Sequence, residues 1–191
     1  MEITRSELRP KTIDWVGLHR EYLGAGEMEL IVSLVSLVGA RTMLEFGCRD
    51  GRTAAVLLRN VQSLERYVGV DVPMSYVPGL LHQCLEMVTA PGSLAARDPR
   101  FELVVRDRGT LDLGPADLPQ ADAVFIDGDH SERVVHHDSD LARVLTRAGG
   151  VIIWHDYRNT GVEVTKVLDD LWDRGWEIEA VRGTCLAFMM V

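Results

Sequence analysis

The chain of 191 residues has little cysteine, no long apolar run and no excess of positive charge. Its three cysteines, Cys48, Cys84 and Cys185, are scattered and never in CxxC spacing. That pattern argues against a zinc site built from cysteines and predicts reduced thiols in a cytoplasmic protein. The most apolar stretch, residues 30–40, is shorter than the ~20 residues needed to cross a bilayer, and the charged start lacks the apolar core of a signal peptide. We therefore expect no membrane partner.

The acidic balance of the chain argues against a nucleic-acid partner. Lys and Arg number 20 against 29 Asp and Glu, so the formal net charge is −9, whereas a nucleic-acid binder needs basic residues clustered on one face. Hydrophobic residues make up 47% and charged residues 26% of the chain, which are ordinary globular values. The length and the lack of repeats or low-complexity linkers predict one domain over residues 1–191.

Short apolar runs alternate with helical patterns along the chain. Near-continuous apolar runs of this length are typical of strands that are covered on both faces. The runs predict strands at 41–46, 66–71, 101–106, 121–127 and 150–154. Apolar residues at helical spacing predict helices at 27–38, 53–61, 80–88, 131–148 and 163–174. This alternation predicts right-handed βαβ units and a mostly parallel sheet.

The end of the chain departs from this alternation. Two further strand patterns, 176–181 and 184–191, are separated only by Arg182-Gly183. A connection that short cannot cross over between parallel strands, so these strands should be antiparallel neighbours. The expected fold class is α/β, with a doubly wound sheet of seven strands that is mostly parallel and closes with a C-terminal antiparallel hairpin.

Polar residues follow the carboxyl ends of the five predicted parallel strands. They are Glu45 to Gly51, Asp71, Asp107, Asp127 to His130, and His155-Asp156. Ligands of open α/β sheets bind beyond these strand ends. Since carboxylates are depleted within strands and costly to bury, so many in these places indicate a functional site.

The first of these segments, Glu45-Phe-Gly47-Cys-Arg-Asp-Gly51, is a glycine turn that fits neither of two common nucleotide motifs. A dinucleotide fingerprint needs GxGxxG, but Arg49 stands where its second glycine would be. A P-loop needs four residues between its glycines and a following Lys. A short-chain dehydrogenase needs a Tyr with Lys four residues later, whereas Gly161 follows Tyr157 at that spacing. A nucleotide-binding dehydrogenase is therefore disfavoured.

The pattern Glu-x-Gly-x-x-x-Gly, an acid after the next strand and the terminal hairpin together resemble the class I S-adenosylmethionine-dependent methyltransferases, which have a Rossmann-like fold. The resemblance implies that the glycine turn approaches the methionine part of the cofactor, that Asp71 accepts hydrogen bonds from the ribose hydroxyls and that Asp107 meets the adenine. The implied cofactor-binding residues are Glu45, Gly47, Cys48, Arg49, Gly51, Asp71, Asp107 and Asp127.

Two later segments, Phe125-Ile-Asp-Gly-Asp-His130 and 149–157, are similar to methyltransferase domain 24 and to macrocin-type O-methyltransferases. This likeness implies a Mg²⁺ or Mn²⁺ site at Asp127 and Asp156, and it implies that His130 is the catalytic base. His155 takes the place of an acidic ligand in the family's metal site. Since imidazole suits transition ions better than Mg²⁺, that difference predicts tolerance for ions such as Mn²⁺.

The resulting expectation is S-adenosylmethionine-dependent O-methylation of a small-molecule hydroxyl, assisted by a metal. The alternatives are a metal-independent N- or O-methyltransferase and a non-catalytic S-adenosylmethionine-binding domain. His130 could equally be an exposed loop residue without a catalytic role, and His155 could be a packing residue. The sequence leaves open whether the protein forms a homo-oligomer. Residues 1–26, which include Trp15, His19 and Tyr22, form a candidate lid over the cofactor cleft.

Overall fold

The computed structural model describes residues 2–4, 6–15, 17–18, 23–24, 26–76 and 90–191. Their strands are β1 (Glu2–Ile3), β2 (Thr42–Phe46), β3 (Arg66–Asp71), β4 (Phe101–Val105), β5 (Ala121–Ile126), β6 (Thr146–Trp154), β7 (Glu179–Val181) and β8 (Ala187–Met190). Their α-helices are α1 (Glu27–Leu37), α2 (Arg52–Asn60), α3 (Glu132–Leu145) and α4 (Val164–Asp173), and Gly109–Asp112 form a 3₁₀ turn.

The strands form one sheet in the order β1-β7-β8-β6-β5-β2-β3-β4. All neighbours are parallel except β8, which runs antiparallel to both β6 and β7. The predicted mostly parallel sheet of seven strands with an antiparallel C-terminal hairpin is confirmed as β2 to β8. The short β1, which pairs with β7 at the sheet edge, was not predicted.

Apolar residues cover the sheet on both faces. Neighbouring residues of β2 face opposite ways, so Met43 packs in the core under α1 and α2, and Leu44 packs in the core under α3 and α4. Phe125 and Ile126 of β5 alternate in the same manner. Burial on both faces explains why these strands read as continuous apolar runs.

The predicted helix over 131–148 is too long. Helix α3 ends at Leu145, and Thr146 begins β6. Between its pairings with Ala121 and Ala123, β6 shifts register from Thr146 to Val151. A Cβ on Gly150 would lie 2.6 Å from the carbonyl oxygen of Asp122, so the backbones approach closely at this irregularity. The helical spacing of apolar residues therefore continues up to Ala148, although the residues from Thr146 onward are extended and belong to β6.

Other predictions have different outcomes. The predicted helix 80–88, Cys84, His19 and Tyr22 lie outside the described residues, and the lid stays a prediction. Trp15 packs against the core of α1 and α2, and Asp14 pairs with Arg59 of α2 at 2.9 Å.

Within the described ranges, no helix has the length and apolar character that a membrane crossing would need.

Candidate active site

The carboxyl ends of β2, β5 and β6 place the candidate site at one edge of the sheet. Ile126 of β5 is in register with Trp154 of β6, so Asp127 and the pair His155-Asp156 leave their strands at the same level. The backbone amide of Asp127 donates to the carbonyl of Phe46 (2.9 Å), and that of His155 donates to the carbonyl of Ile126 (3.1 Å). These bonds extend the strand register into the turns.

The glycine turn after β2 touches the turn after β5 directly. Gly47 has φ 87°, and a Cβ there would lie 2.3 Å from the Cα of Gly128 and 2.4 Å from the carbonyl oxygen of Asp127. Gly51, at the start of α2, has φ 82° and would meet the Cα of Gly92 at 2.9 Å. Both positions therefore require glycine for conformation and for space.

Asp71 connects the end of β3 to the glycine turn. Its Oδ1 accepts a hydrogen bond from the amide of Val72 (2.7 Å), and its Oδ2 accepts one from the amide of Arg49. Burial raises the pKa of Asp71, although these amide bonds and one from the Cys48 side chain oppose the shift. Cys48 is itself buried, and burial raises the pKa of its thiol, which makes it a packing group and a poor nucleophile.

Two other predicted cofactor residues differ sharply in exposure. Glu45 is 1% exposed and accepts a hydrogen bond from the Tyr67 hydroxyl (2.8 Å). Burial raises the pKa of Glu45 to about 8 despite that bond. Asp107 is exposed beyond β4, directly after Arg106, whose amide donates to the carbonyl of Asp71 (3.1 Å). Asp107 therefore follows a residue that is bonded to the end of β3.

His130 lies between the two predicted metal carboxylates. Its Nε2 is 2.9 Å from Asp156 Oδ2 and 3.6 Å from Asp127 Oδ1. One ligand atom from each of the three residues lies within 4.8 Å of the others. Asp156 has φ 60°, and Asn159 Nδ2 donates to its Oδ1 (2.8 Å). Burial would raise the pKa of Asp156, but hydrogen bonds from His130 and His155 outweigh it and hold that pKa well below its usual range.

His155 lies behind this cluster. Its Nδ1 is 3.1 Å from Asp127 Oδ1 and its Nε2 is 3.2 Å from Glu27 Oε2. Burial would lower the pKa of His155, but the charge of Asp127 and the hydrogen bonds to the surrounding carboxylates outweigh it and raise the pKa. Both ring nitrogens thus face carboxylates, and His130 rather than His155 completes the three-residue cluster.

The donor set of this cluster suits a divalent cation. Two carboxylate oxygens are hard ligands of the kind that Mg²⁺ and Mn²⁺ prefer, and the imidazole of His130 lies beside them. The pKa of Asp127 is lowered, because the charge of His155 and the hydrogen bonds from His130 and His155 outweigh its burial. Asp127 and Asp156 are therefore both held in the ionised form that a cation requires.

Sequence reasoning missed two residues of the site, Glu27 and Asn159. Glu27 opens α1, where an acidic residue is expected simply because it favours the helix dipole. Asn159 follows β6 in a segment rich in turns, where asparagine is common. Burial is the property that sets Glu27 apart from an ordinary acidic residue at a helix start. The sequence alone does not reveal burial, so it carried no signal for Glu27.

Comparison with known proteins agrees with this architecture. Residues 44–157 match the family model Methyltransf_24, described as a methyltransferase domain. A search of curated proteins finds no match. Similar solved structures include cofactor-bound Rv0187 from MTB, which is 22% identical with a TM-score of 0.67 over 92% of this chain and 84% of that one. The O-methyltransferase TomG from Streptomyces achromogenes, solved with S-adenosylmethionine, is 20% identical with a TM-score of 0.62 over 97% and 93%.

An O-methyltransferase from Bacillus cereus in complex with S-adenosylhomocysteine is 17% identical, with a TM-score of 0.59 over 92% of this chain and 86% of that one. At these identities the likeness concerns the fold, whereas the family match covers more than half of the chain and includes the glycine turn, Asp71, Asp127 and Asp156. The chain therefore belongs to the Methyltransf_24 family of methyltransferase domains, and it is a class I S-adenosylmethionine-dependent methyltransferase.

Proposed function

We propose that the chain methylates a hydroxyl group of a small-molecule acceptor and that His130 is the general base. The observation that carries this proposal is the cluster of His130, Asp127 and Asp156, with one ligand atom of each within 4.8 Å of the others. The cluster lies beside the glycine turn, since Asp127 contacts Gly47 there. A proton acceptor next to a cofactor turn is what O-methylation needs.

The cofactor residues proposed from the sequence are supported by their placement. S-adenosylmethionine would supply the methyl group: the new C–O bond forms as the C–S bond to the sulfonium breaks, and S-adenosylhomocysteine leaves. The glycine turn allows close backbone approach, and Asp71 has spare lone pairs for the ribose hydroxyls beyond the amide bonds that it already accepts. Glu45, Cys48 and Arg49 shape the turn, and Asp107 is proposed to meet the adenine. Alignment of the reactants and exclusion of water then supply most of the rate acceleration.

His130 takes the proton of the acceptor hydroxyl. The imidazole gains positive charge as it does so, and Asp156 Oδ2, 2.9 Å from Nε2, stabilises that charge. General-base catalysis of this kind contributes roughly 10²–10⁴-fold to the rate. Asn159 holds the other oxygen of Asp156, which fixes the carboxylate toward the histidine.

Asp127 and Asp156 are the proposed ligands of Mg²⁺ or Mn²⁺. Such a cation, when bound, lowers the pKa of the acceptor hydroxyl and orients it. His155 is the further ligand that the family resemblance implies. Its nitrogens face Asp127 and Glu27, and this placement supports a role in holding Asp127. A metal-independent methyltransferase remains the second candidate, because the His130–Asp156 pair is already formed in the protein alone.

The test is transfer of radiolabelled methyl from S-adenosylmethionine to a panel of sugar, phenol and amine acceptors, with and without a chelator. Label that appears on the hydroxyl acceptors only when Mn²⁺ or Mg²⁺ is present supports the metal-assisted reaction. Labelled products that persist in excess chelator support the metal-independent candidate. S-adenosylhomocysteine binding without transfer to any acceptor of the panel would favour a non-catalytic cofactor-binding domain.

A further inference from the structure

Glu27 is a buried acid that neither cofactor binding nor proton removal explains. It is the first residue of α1, and its side chain is 3% exposed. Its Oε1 accepts a hydrogen bond from the amide of Cys185 (2.6 Å), and its Oε2 accepts one from the amide of Gly24. The same Oε2 lies 3.2 Å from Nε2 of His155. One carboxylate therefore joins the start of α1, the C-terminal hairpin and the histidine after β6.

His155 carries this connection to the candidate active site. Its ring is 8% exposed and lies edge-on to Phe125, with 6.5 Å between ring centroids. Its Nδ1 is 3.1 Å from Asp127 Oδ1. Since both nitrogens are engaged and the ring is enclosed, Glu27 fixes the rotation of the ring, and the ring in turn fixes one oxygen of Asp127.

We propose that Glu27 is a positioning residue that acts through His155 to hold the Asp127 carboxylate toward His130 and Asp156. The inference rests on the proposed function, because that proposal assigns Asp127 to the methyl-transfer site. A carboxylate rotates easily about its terminal bond. The oxygen that His155 holds, Asp127 Oδ1, is also the one that lies 3.6 Å from Nε2 of His130, so this partner sets how the carboxylate faces the cluster. Groups that orient ligating residues in this way are typically worth 10–100-fold in metal affinity or activity.

A purely structural explanation accounts for less of this geometry. A side chain that only satisfied backbone amides at the start of α1 would need no histidine partner. Burying a carboxylate is costly unless it is paired, and Glu27 is paired with a ring that also touches Asp127. Hydrogen bonding to backbone amides therefore does not explain the contact between Glu27 and His155.

The experiment compares Glu27→Gln with the matched control Glu29→Gln. Gln keeps an acceptor for the Cys185 amide and removes the charge that faces His155. Glu29 lies in the same first turn of α1, but residues two apart point to different sides of a helix. Two readouts are used: the affinity for Mn²⁺ alone, by electron paramagnetic resonance, and the ring ¹⁵N signals of His130 in the metal-free protein. Circular dichroism and S-adenosylhomocysteine affinity report on the fold.

We expect Glu27→Gln to weaken Mn²⁺ binding about 10-fold or more and to shift the His130 signals, with S-adenosylhomocysteine affinity kept within about 3-fold. Glu29→Gln should change neither readout. A folded Glu27→Gln protein with parental Mn²⁺ affinity and unshifted His130 signals would overturn the inference. If the parent protein binds no Mn²⁺, the cation part of the proposed function fails, and the His130 signals alone decide the role of Glu27.

A second variant covers the case in which Glu27→Gln does not fold. His155→Gln leaves the bonds from Glu27 to the Cys185 and Gly24 amides in place and removes the ring that contacts Asp127 and Asp156. It should weaken Mn²⁺ binding and shift the His130 signals as Glu27→Gln does. Unchanged values in folded His155→Gln would overturn the inference as surely as unchanged values in the first variant.

Discussion

The backbone amide of Arg49 donates a hydrogen bond to the carboxylate of Asp71, which joins the glycine turn after β2 to the end of the neighbouring strand β3. The other oxygen of Asp71 accepts from the amide of Val72 at 2.7 Å. One side chain thus orders the turn and faces the proposed ribose position. Its loss should consequently act on cofactor affinity more than on any other property.

Replacing Asp71 with Ala should weaken binding of S-adenosylhomocysteine by roughly 10–100-fold, because hydrogen bonds to a charged group are worth ~1.5–3 kcal/mol. Isothermal titration calorimetry measures the affinity, and circular dichroism checks the fold. Asp71→Asn, which keeps one acceptor oxygen, should fall between the parent and Asp71→Ala. Parental affinity in folded Asp71→Ala would remove Asp71 from the cofactor site.

Asp127→Asn and Asp156→Asn should each abolish specific Mn²⁺ binding and the metal-dependent part of turnover. Each substitution exchanges an anionic ligand for a neutral amide at a proposed site whose two named ligands are both carboxylates. Asp129→Asn is the control: it lies in the same turn, and its Oδ1 accepts from the Ser131 amide at 2.8 Å instead of facing the cluster. Equal Mn²⁺ affinity in all three variants would contradict the proposed site.

Substitution of His130 by Ala should reduce turnover roughly 10²–10⁴-fold at saturating cofactor, which is the usual size of general-base catalysis. Affinity for S-adenosylhomocysteine should stay near the parental value, since His130 faces Asp156 and Asp127. His136→Ala, a change of the same type at a residue of α3 that faces Asp170 of α4 at 3.8 Å, should leave turnover unchanged. Near-parental turnover of His130→Ala would show that another group takes the proton.

Asp138 should make the stability of the protein depend on pH. It is 1% exposed in α3, and its Oδ1 has no hydrogen-bond partner among the described residues. Burial raises the pKa of Asp138 to about 7; a hydrogen bond from Thr110 opposes the shift and the charge of Asp129 adds to it. The folded protein therefore binds a proton that the unfolded chain, with a pKa near ~3.9, releases earlier.

It follows that the contribution of Asp138 to stability is fully present below pH ~4 and is lost as the pH rises toward about 7. Asp138→Asn, which cannot ionise, should gain stability relative to the parent between pH 5 and pH 8 by more than ~1.4 kcal/mol, the equivalent of one pKa unit. Urea unfolding at the two pH values measures this. The control is Asp140→Asn, at an exposed position of the same helix. A difference between Asp138→Asn and parent that stays constant across the two pH values would rule this effect out.

The fold could be predicted closely where strands are buried on both sheet faces, because such strands appear in the sequence as continuous apolar runs. The bounds predicted for β3 are those observed, since its apolar run is uninterrupted and ends at a carboxylate. Prediction was wrong where tertiary contacts override the period, as at Thr146, where β6 begins although the helical spacing continues. The two-residue strand β1 carries no periodic signal at all.

The site was predictable to the level of strand ends and no further. Asp71 ends a parallel strand, Asp127 and Asp156 come after two others, and neighbouring parallel strands end at the same edge. Which histidine faces the cleft could not be deduced, because it depends on Glu27, which is 128 positions from His155 along the chain. Spacing within a motif says nothing about a partner that far away.

The bond from the Cys185 amide to Glu27 spans 158 positions of sequence. During synthesis Glu27 leaves the ribosome before Cys185, so its carboxylate gains this hydrogen-bond donor only after the hairpin has been made. Because closing so long a loop costs entropy and brings no local reward, the contact should form among the last steps of folding. A nascent chain with its glycine turn and first strands in place would thus still have an unfinished catalytic centre, and methyl transfer would begin only after the C-terminal hairpin has docked.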